Sequence, residues 1–93
     1  MAIDSGDKNK GSLYEYYDTR GLIYKIRGKY DKALADYSNA VESGTDNKVK
    51  LSFTYNDRGH VYELKGMFDQ AVSDYNRAIK LNPDSYITMY RMA

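Results

Sequence analysis

Residues 17–42 read YDTRGLIYKIRGKYDKALADYSNAVE, and residues 55–80 read YNDRGHVYELKGMFDQAVSDYNRAIK. Laid on one another at an offset of 38, they share 10 identities in 26 positions. The pairs are Tyr17/Tyr55, Arg20/Arg58, Gly21/Gly59, Tyr24/Tyr62, Gly28/Gly66, Asp31/Asp69, Ala33/Ala71, Asp36/Asp74, Tyr37/Tyr75 and Ala40/Ala78. Conservative pairs fill much of the rest: Ile23/Val61, Ile26/Leu64, Tyr30/Phe68, Leu34/Val72 and Val41/Ile79. Self-similarity of this length at a fixed offset marks an array of one supersecondary unit.

Each copy reads as two helices. Tyr17, Arg20, Gly21 and Tyr24 fall at i, i+3, i+4 and i+7, one stripe of a 3.6-residue period. Ser12 and Glu15 form an S-x-x-E capping box, which predicts a helix start at Ser12. Gly28 is placed to end that helix, because glycine takes the left-handed conformation without a Cβ penalty. A second helix carries Ala33, Tyr37 and Ala40 at i, i+4 and i+7, with Asp31 beside the positive end of its dipole. Gly44 ends it, and Thr45 or Asp46 is expected to cap the next. The second copy repeats the plan, with Gly66 as the turn and Asn82-Pro83 as the stop. Pro83 then suits the first position of a short helix over 83–92 capped by Asn82.

The small residues predict close hairpins. Gly21 is expected to face Ala33 or Ala40, since a bulkier pair would hold the axes beyond the usual 8–10 Å. Tyr24 and Tyr37, and Tyr62 and Tyr75 in the second copy, are then core residues beside that contact, their hydroxyls seeking partners or water. Arg20 and Arg58 fall on the same stripe, where an unpaired guanidinium would be costly. Pairing with Asp36 and Asp74 would resolve that cost, most simply Arg20 with Asp36 and Arg58 with Asp74, with Asp36 to Arg58 across the repeats as the alternative.

The whole chain fits one small domain of 93 residues, 42% hydrophobic and 29% charged, a globular composition. Fourteen Lys and Arg against thirteen Asp and Glu leave a net charge of +1, which supplies no basic field for nucleic acid or an anionic membrane. With no cysteine there is no disulfide, thiolate zinc site or thiol nucleophile. No apolar run approaches the roughly 20 residues that span a bilayer. The opening Met1-Ala-Ile-Asp-Ser-Gly-Asp7 has no apolar core of a secretory signal, so a cytoplasmic location is expected.

Tyr17-x2-Arg20-Gly21-x2-Tyr24 followed by Ala33-x3-Tyr37, and Tyr55-x2-Arg58-Gly59-x2-Tyr62 followed by Ala71-x3-Tyr75 and Pro83, resemble the tetratricopeptide repeat (TPR) pattern. That resemblance covers residues 14–85. It implies an all-α fold of antiparallel helix-turn-helix repeats stacked as a short right-handed solenoid. Two departures stand out. The family's usual Leu before the Gly is Arg20 and Arg58, and the copies lie 38 residues apart where the family's period is 34. The four extra residues fall around Gly44–Lys50. A third helix one turn longer at its start is the simplest reading, and a looped-out insertion is the other.

The resemblance also implies a protein–protein interaction module, with a peptide or helix of a partner lying in a concave groove lined by the first helices. Off the packing stripe, that groove maps to Asp18, Leu22 and Lys25 of the first repeat and to Phe53, Asn56, His60 and Glu63 of the second. Ile26 and Leu64 lie at its edge or partly in the core. Leu22, Phe53 and Leu64 among polar neighbours suit a short amphipathic segment. Members of the family that clamp a chaperone's C-terminal carboxylate have a Lys in the first helix and an Asn directly after the Gly. Asp18 and Leu22 occupy those places here, and Asp18 would repel a carboxylate.

Other classes fit less well. His60 is the only histidine, and with Glu63 at i+3 it makes one H-x-x-E pair, short of the three or four ligands of a metal site. A surface polar pair is the ordinary reading, and no cofactor is implied. The glycines sit at hairpin turns rather than in a phosphate-binding loop. A small regulatory domain of an enzyme is one alternative to an interaction module. A single-stranded RNA reader is the other, but it would want a positive groove, and Asp18 and Glu63 stand against Lys25.

The expected organisation is a flexible lead-in over 1–11 and a repeat domain over 12–93, with repeats at 12–44 and 46–82 and the short helix at 83–92. The last stretch, Tyr86-Ile87-Thr88-Met89-Tyr90-Arg91-Met92, is too apolar for a solvated cap. It predicts self-association through Ile87, Met89 and Tyr90, most simply as a two-fold homodimer, or a place in a longer array.

Overall fold

A computed structural model of the chain describes residues 6–84. These form four α-helices and no strand among the described residues: α1 Gly6–Ile26, α2 Tyr30–Ser43, α3 Lys48–Leu64 and α4 Phe68–Leu81. The chain divides into two compact units, Met1–Asp46 and Asn47–Ala93. In the first α1 packs on α2, and in the second α3 packs on α4. From residue 85 on, the short helix expected over 83–92 lies outside the described residues, as do Ile87, Met89 and Tyr90, expected to mediate self-association.

Both hairpins turn in the same way. Gly28 and Gly66 take φ of 77° and 79°. In the first, Gly28 N–H donates to the Lys25 carbonyl at 3.0 Å and Lys29 N–H to that of Tyr24 at 2.8 Å. Gly66 to Glu63 at 2.9 Å and Met67 to Tyr62 at 2.8 Å repeat the pattern. This pair of 5→2 and 6→1 bonds satisfies helix-end carbonyls that would otherwise lack partners, and it requires a left-handed residue that glycine supplies.

The buried face of α2 is Ala33, Asp36, Tyr37 and Ala40, and that of α4 is Ala71, Asp74, Tyr75 and Ala78. The i, i+3, i+4, i+7 spacing puts each set on one stripe. Gly21 opposes the Tyr37 ring rather than Ala33 or Ala40 as expected from sequence, and Gly59 opposes the Tyr75 ring with the Ala71 backbone beside it. A Cβ on Gly21 would lie 2.9 Å from Cδ1 and Cε1 of Tyr37. On Gly59 it would lie 2.8 Å from Cε1 of Tyr75 and 3.2 Å from the Ala71 carbonyl oxygen. The tyrosine ring closes on the helix backbone at a position with no side chain, so the aromatic and the glycine are one packing unit. An aromatic ring buries on the order of 150–250 Å². At about 25 cal/mol per Å² that is roughly 4 kcal/mol or more before ordering entropy.

Two helix starts differ from the sequence expectation. α1 begins at Gly6, so Ser12 lies inside the helix and residues 6–11 of the expected lead-in are helical. Extending an existing helix adds one hydrogen bond for each residue fixed, so a capping-box pattern does not by itself stop the helix from continuing upstream. α3 is capped by Asn47, not by Thr45 or Asp46: the Asn47 side chain accepts from Lys50 N–H at 3.0 Å. Asparagine is as strong an N-cap as aspartate, and its position relative to the helix decides between them.

Candidate functional site

Each repeat fixes its first helix to its second by a forked ion pair. Arg20 donates from Nε to Asp36 Oδ2 at 2.7 Å and from Nη2 to Oδ1 at 2.9 Å. Arg58 donates to Asp74 through the same atoms at 2.7 and 2.8 Å. Asp36 and Asp74 are buried, so their carboxylates depend on these donors for the hydrogen bonds water would otherwise give. The carboxylate bond raises both guanidinium pKa values further above their ordinary range, so both arginines stay charged wherever the fold survives.

The two pairs are finished differently. In the first repeat Arg20 also donates from Nη1 to the Tyr16 hydroxyl at 2.7 Å, and its guanidinium carbon sits 5.0 Å from the Tyr16 ring centroid. Tyr24 receives two cations, Arg20 at 6.0 Å and Lys32 at 5.6 Å. In the second repeat Arg77 makes the extra contact, from Nη1 to Asp74 Oδ1 at 2.9 Å. Arg58 and Arg77 both lie over the Tyr55 ring, at 5.4 and 5.8 Å. The 38-residue offset gave no sign of the Tyr16 and Arg77 contacts, because Tyr16 aligns with Thr54 and Arg77 with Asn39. The i, i+4 spacing of Tyr16 and Arg20 and the i, i+3 spacing of Asp74 and Arg77 were the signals available.

With the inner stripe engaged, the groove residues expected from the sequence occupy another face of each first helix. On α1, Asp18, Leu22 and Lys25 follow one another at i, i+4 and i+7; Leu22 is exposed, and Asp18 and Lys25 are half-buried. On α3, Phe53 and Glu63 are exposed and His60 is half-buried, while Asn56 is buried and offers a ligand little surface. Ile26 and Leu64 are exposed, so neither belongs to the core. Glu63 accepts from the Tyr75 hydroxyl at 2.6 Å, a contact the sequence reading had not anticipated. That bond answers the tyrosine's need for a partner and fixes one carboxylate on the outward face of α3.

Residues 14–43 and residues 52–85 each match the tetratricopeptide repeat. The chain belongs to the tetratricopeptide repeat family. No curated protein matches it. The TPR match of the second repeat starts at Ser52, and α3 starts four residues earlier at Lys48. The residues that lengthen the spacing beyond the family period therefore add a turn to the start of α3, and the looped-out alternative falls away. TPR repeats generally mediate protein–protein interactions and are typically non-catalytic. Among the described residues no group of three or more His, Asp or Glu is placed to hold a metal ion. No described helix is long and apolar enough to cross a membrane.

Proposed function

We propose that this TPR chain is an interaction module that takes a peptide or helix of a partner protein on the outward faces of its first helices. Asp18, Leu22 and Lys25 offer a contact face on α1, and Phe53, His60 and Glu63 offer one on α3, where Asn56 is buried. One observation carries the reading: Leu22 and Phe53 each remain 42% exposed on helices whose Gly21 and Gly59 are buried against the second helix of the hairpin. Large apolar side chains held out on a rigid helix, among polar neighbours, are the anchors of helix-in-groove and peptide recognition.

The test is crosslinking of the full chain in native extract, followed by mass spectrometry, for the wild type and for Leu22→Asp and Phe53→Asp. Both substitutions lie on exposed positions, so the thermal melts should stay close to wild type. Loss of the wild-type crosslinked partners in both variants is the expected result. An unchanged partner set would overturn the assignment of these faces.

A further inference from the structure

Six positions share the face of α1 away from its packing stripe, 15, 18, 19, 22, 25 and 26, and the repeat offset carries them to 53, 56, 57, 60, 63 and 64 of α3, of which Asn56 is buried. These twelve positions hold four carboxylates, Glu15, Asp18, Asp57 and Glu63, against a single lysine, Lys25. The α1 face is thus net −1 (two acids less one base) and the α3 face net −2, in a chain whose total is +1. Each face also keeps two apolar side chains exposed: Leu22 and Ile26 on α1, Phe53 and Leu64 on α3. In both repeats, then, acid and exposed hydrophobe share one helix face, and the compensating arginines are drawn to the inner stripe by Asp36 and Asp74.

From that juxtaposition, and resting on the interaction reading above, we infer that the partner segment is a basic amphipathic one: apolar side chains at i and i+3 or i+4, flanked by Lys or Arg. The apolar residues would lie on Leu22 and Ile26 or on Phe53 and Leu64. The cations would meet Glu15 and Asp18 or Asp57 and Glu63. Like charge facing an acidic partner costs affinity, and opposite charge speeds encounter and selects the partner. An acidic tail, or a nucleic-acid backbone, meets the wrong sign on both helices.

Selection from a random twelve-residue peptide library on the immobilised full chain tests this without assuming a sequence. Enriched peptides should carry net positive charge with apolar residues at helical spacing. A labelled synthetic copy should bind at least about tenfold more weakly at 500 mM than at 50 mM salt, because screening at high ionic strength removes the attraction between exposed charges. Glu15→Gln with Asp57→Asn should weaken binding and flatten the salt dependence. Enrichment of neutral or acidic peptides overturns the charge inference. Such peptides leave the assignment of the faces standing if Leu22→Asp or Phe53→Asp abolishes their binding. Enriched peptides indifferent to both apolar substitutions, or no enrichment over a blank surface, overturn the assignment of the faces as well.

Discussion

Arg58 donates two hydrogen bonds to Asp74, at 2.7 and 2.8 Å, and Arg77 adds a third at 2.9 Å, so one buried carboxylate is shared by two guanidinium groups. Asp36 in the first repeat has the equivalent fork from Arg20, whose Nη1 donates to the hydroxyl of Tyr16, four residues upstream. The difference in surroundings is large: the Arg58 side chain is 14% exposed and that of Arg20 is 42% exposed. The same pair is therefore a buried ion pair in one repeat and a half-solvated one in the other, and the two should respond differently to mutation.

Asp74→Leu alone should destabilise by about 3–5 kcal/mol, because it strands Arg58 next to an apolar side chain. Adding Arg58→Met should recover part of that loss. A double-mutant cycle on urea melts reads the coupling, and additive single effects would show that the pair does not form. Asp36→Leu should cost less than Asp74→Leu, since Arg20 can turn to water.

Gly59→Ala should destabilise even though alanine is the better helix former by about 1 kcal/mol. The new Cβ would stand 2.8 Å from the Tyr75 ring and 3.2 Å from the Ala71 carbonyl, and a buried ring and a backbone atom cannot swing aside. Overpacking of this kind costs about 1–3 kcal/mol, and Gly59→Leu should cost more. Gly21→Ala, which meets the Tyr37 ring alone, should be the milder change. Combining Gly59→Ala with Tyr75→Leu should be less damaging than the sum of the two, since the smaller side chain relieves the clash. Chemical denaturation of these variants and of Tyr75→Leu alone gives the comparison.

Gly66 presents the opposite case. A Cβ there would meet nothing within 4 Å, but φ is +79°. Gly66→Ala should therefore cost roughly 1–2 kcal/mol through backbone strain alone. Gly66→Asn should cost less, because asparagine tolerates the left-handed region. A thermal melt in which alanine and asparagine are equivalent would mean the turn had relaxed to negative φ.

Features present in both copies were legible from the sequence. Arg20 with Asp36 and Arg58 with Asp74 recur with the same separation, and a costly charge on a packing stripe has few remedies, so the pairing could be reasoned out. The turn glycines and the all-α plan followed for the same reason. What was not legible depends on small rotations of one helix against another. Whether Gly21 meets Ala33, Tyr37 or Ala40 turns on a few tens of degrees about the helix axis, and period alone does not supply that. Asn47, Tyr16 and Arg77 occur in one copy only, so the repeat could not single them out. The outward face was legible as positions, since it is what the packing stripe leaves over. The burial of Asn56 and the bond between Glu63 and Tyr75 needed the packed hairpin.

Asn47 accepts the Lys50 N–H at 3.0 Å at the start of α3, one turn ahead of the family match. Asn47→Ala should cost about 1 kcal/mol, the usual worth of an N-cap, and should fray the added turn before the rest of the helix. Hydrogen exchange reads this residue by residue. Faster exchange confined to the amides just after the cap, Lys50 and Leu51, is expected, and uniform acceleration through α3 would mean that the cap supports the whole helix.

Tyr75 links the hairpin core to the proposed recognition face. Its ring covers Gly59, and its hydroxyl donates to Glu63 at 2.6 Å, the short distance of a hydroxyl bonded to a carboxylate. Tyr75→Phe keeps the ring and removes the hydroxyl. Hydrogen bonds to charged groups contribute about 1.5–3 kcal/mol, and an exposed acceptor that can turn to water should bring the loss to the low end of that range or below it. The released Glu63 carboxylate stays on the outward face but is no longer held in one rotamer. A basic peptide bound there must then order Glu63 itself, at a cost of about 0.5–1.5 kcal/mol per immobilised side chain, or roughly two- to twelvefold in affinity. Glu63→Gln should lower affinity by losing charge and should also weaken the salt dependence, whereas Tyr75→Phe should lower affinity with the salt dependence intact. Fluorescence anisotropy across a salt series separates the two. Equal salt slopes for wild type and both variants would show that Glu63 takes no part in binding.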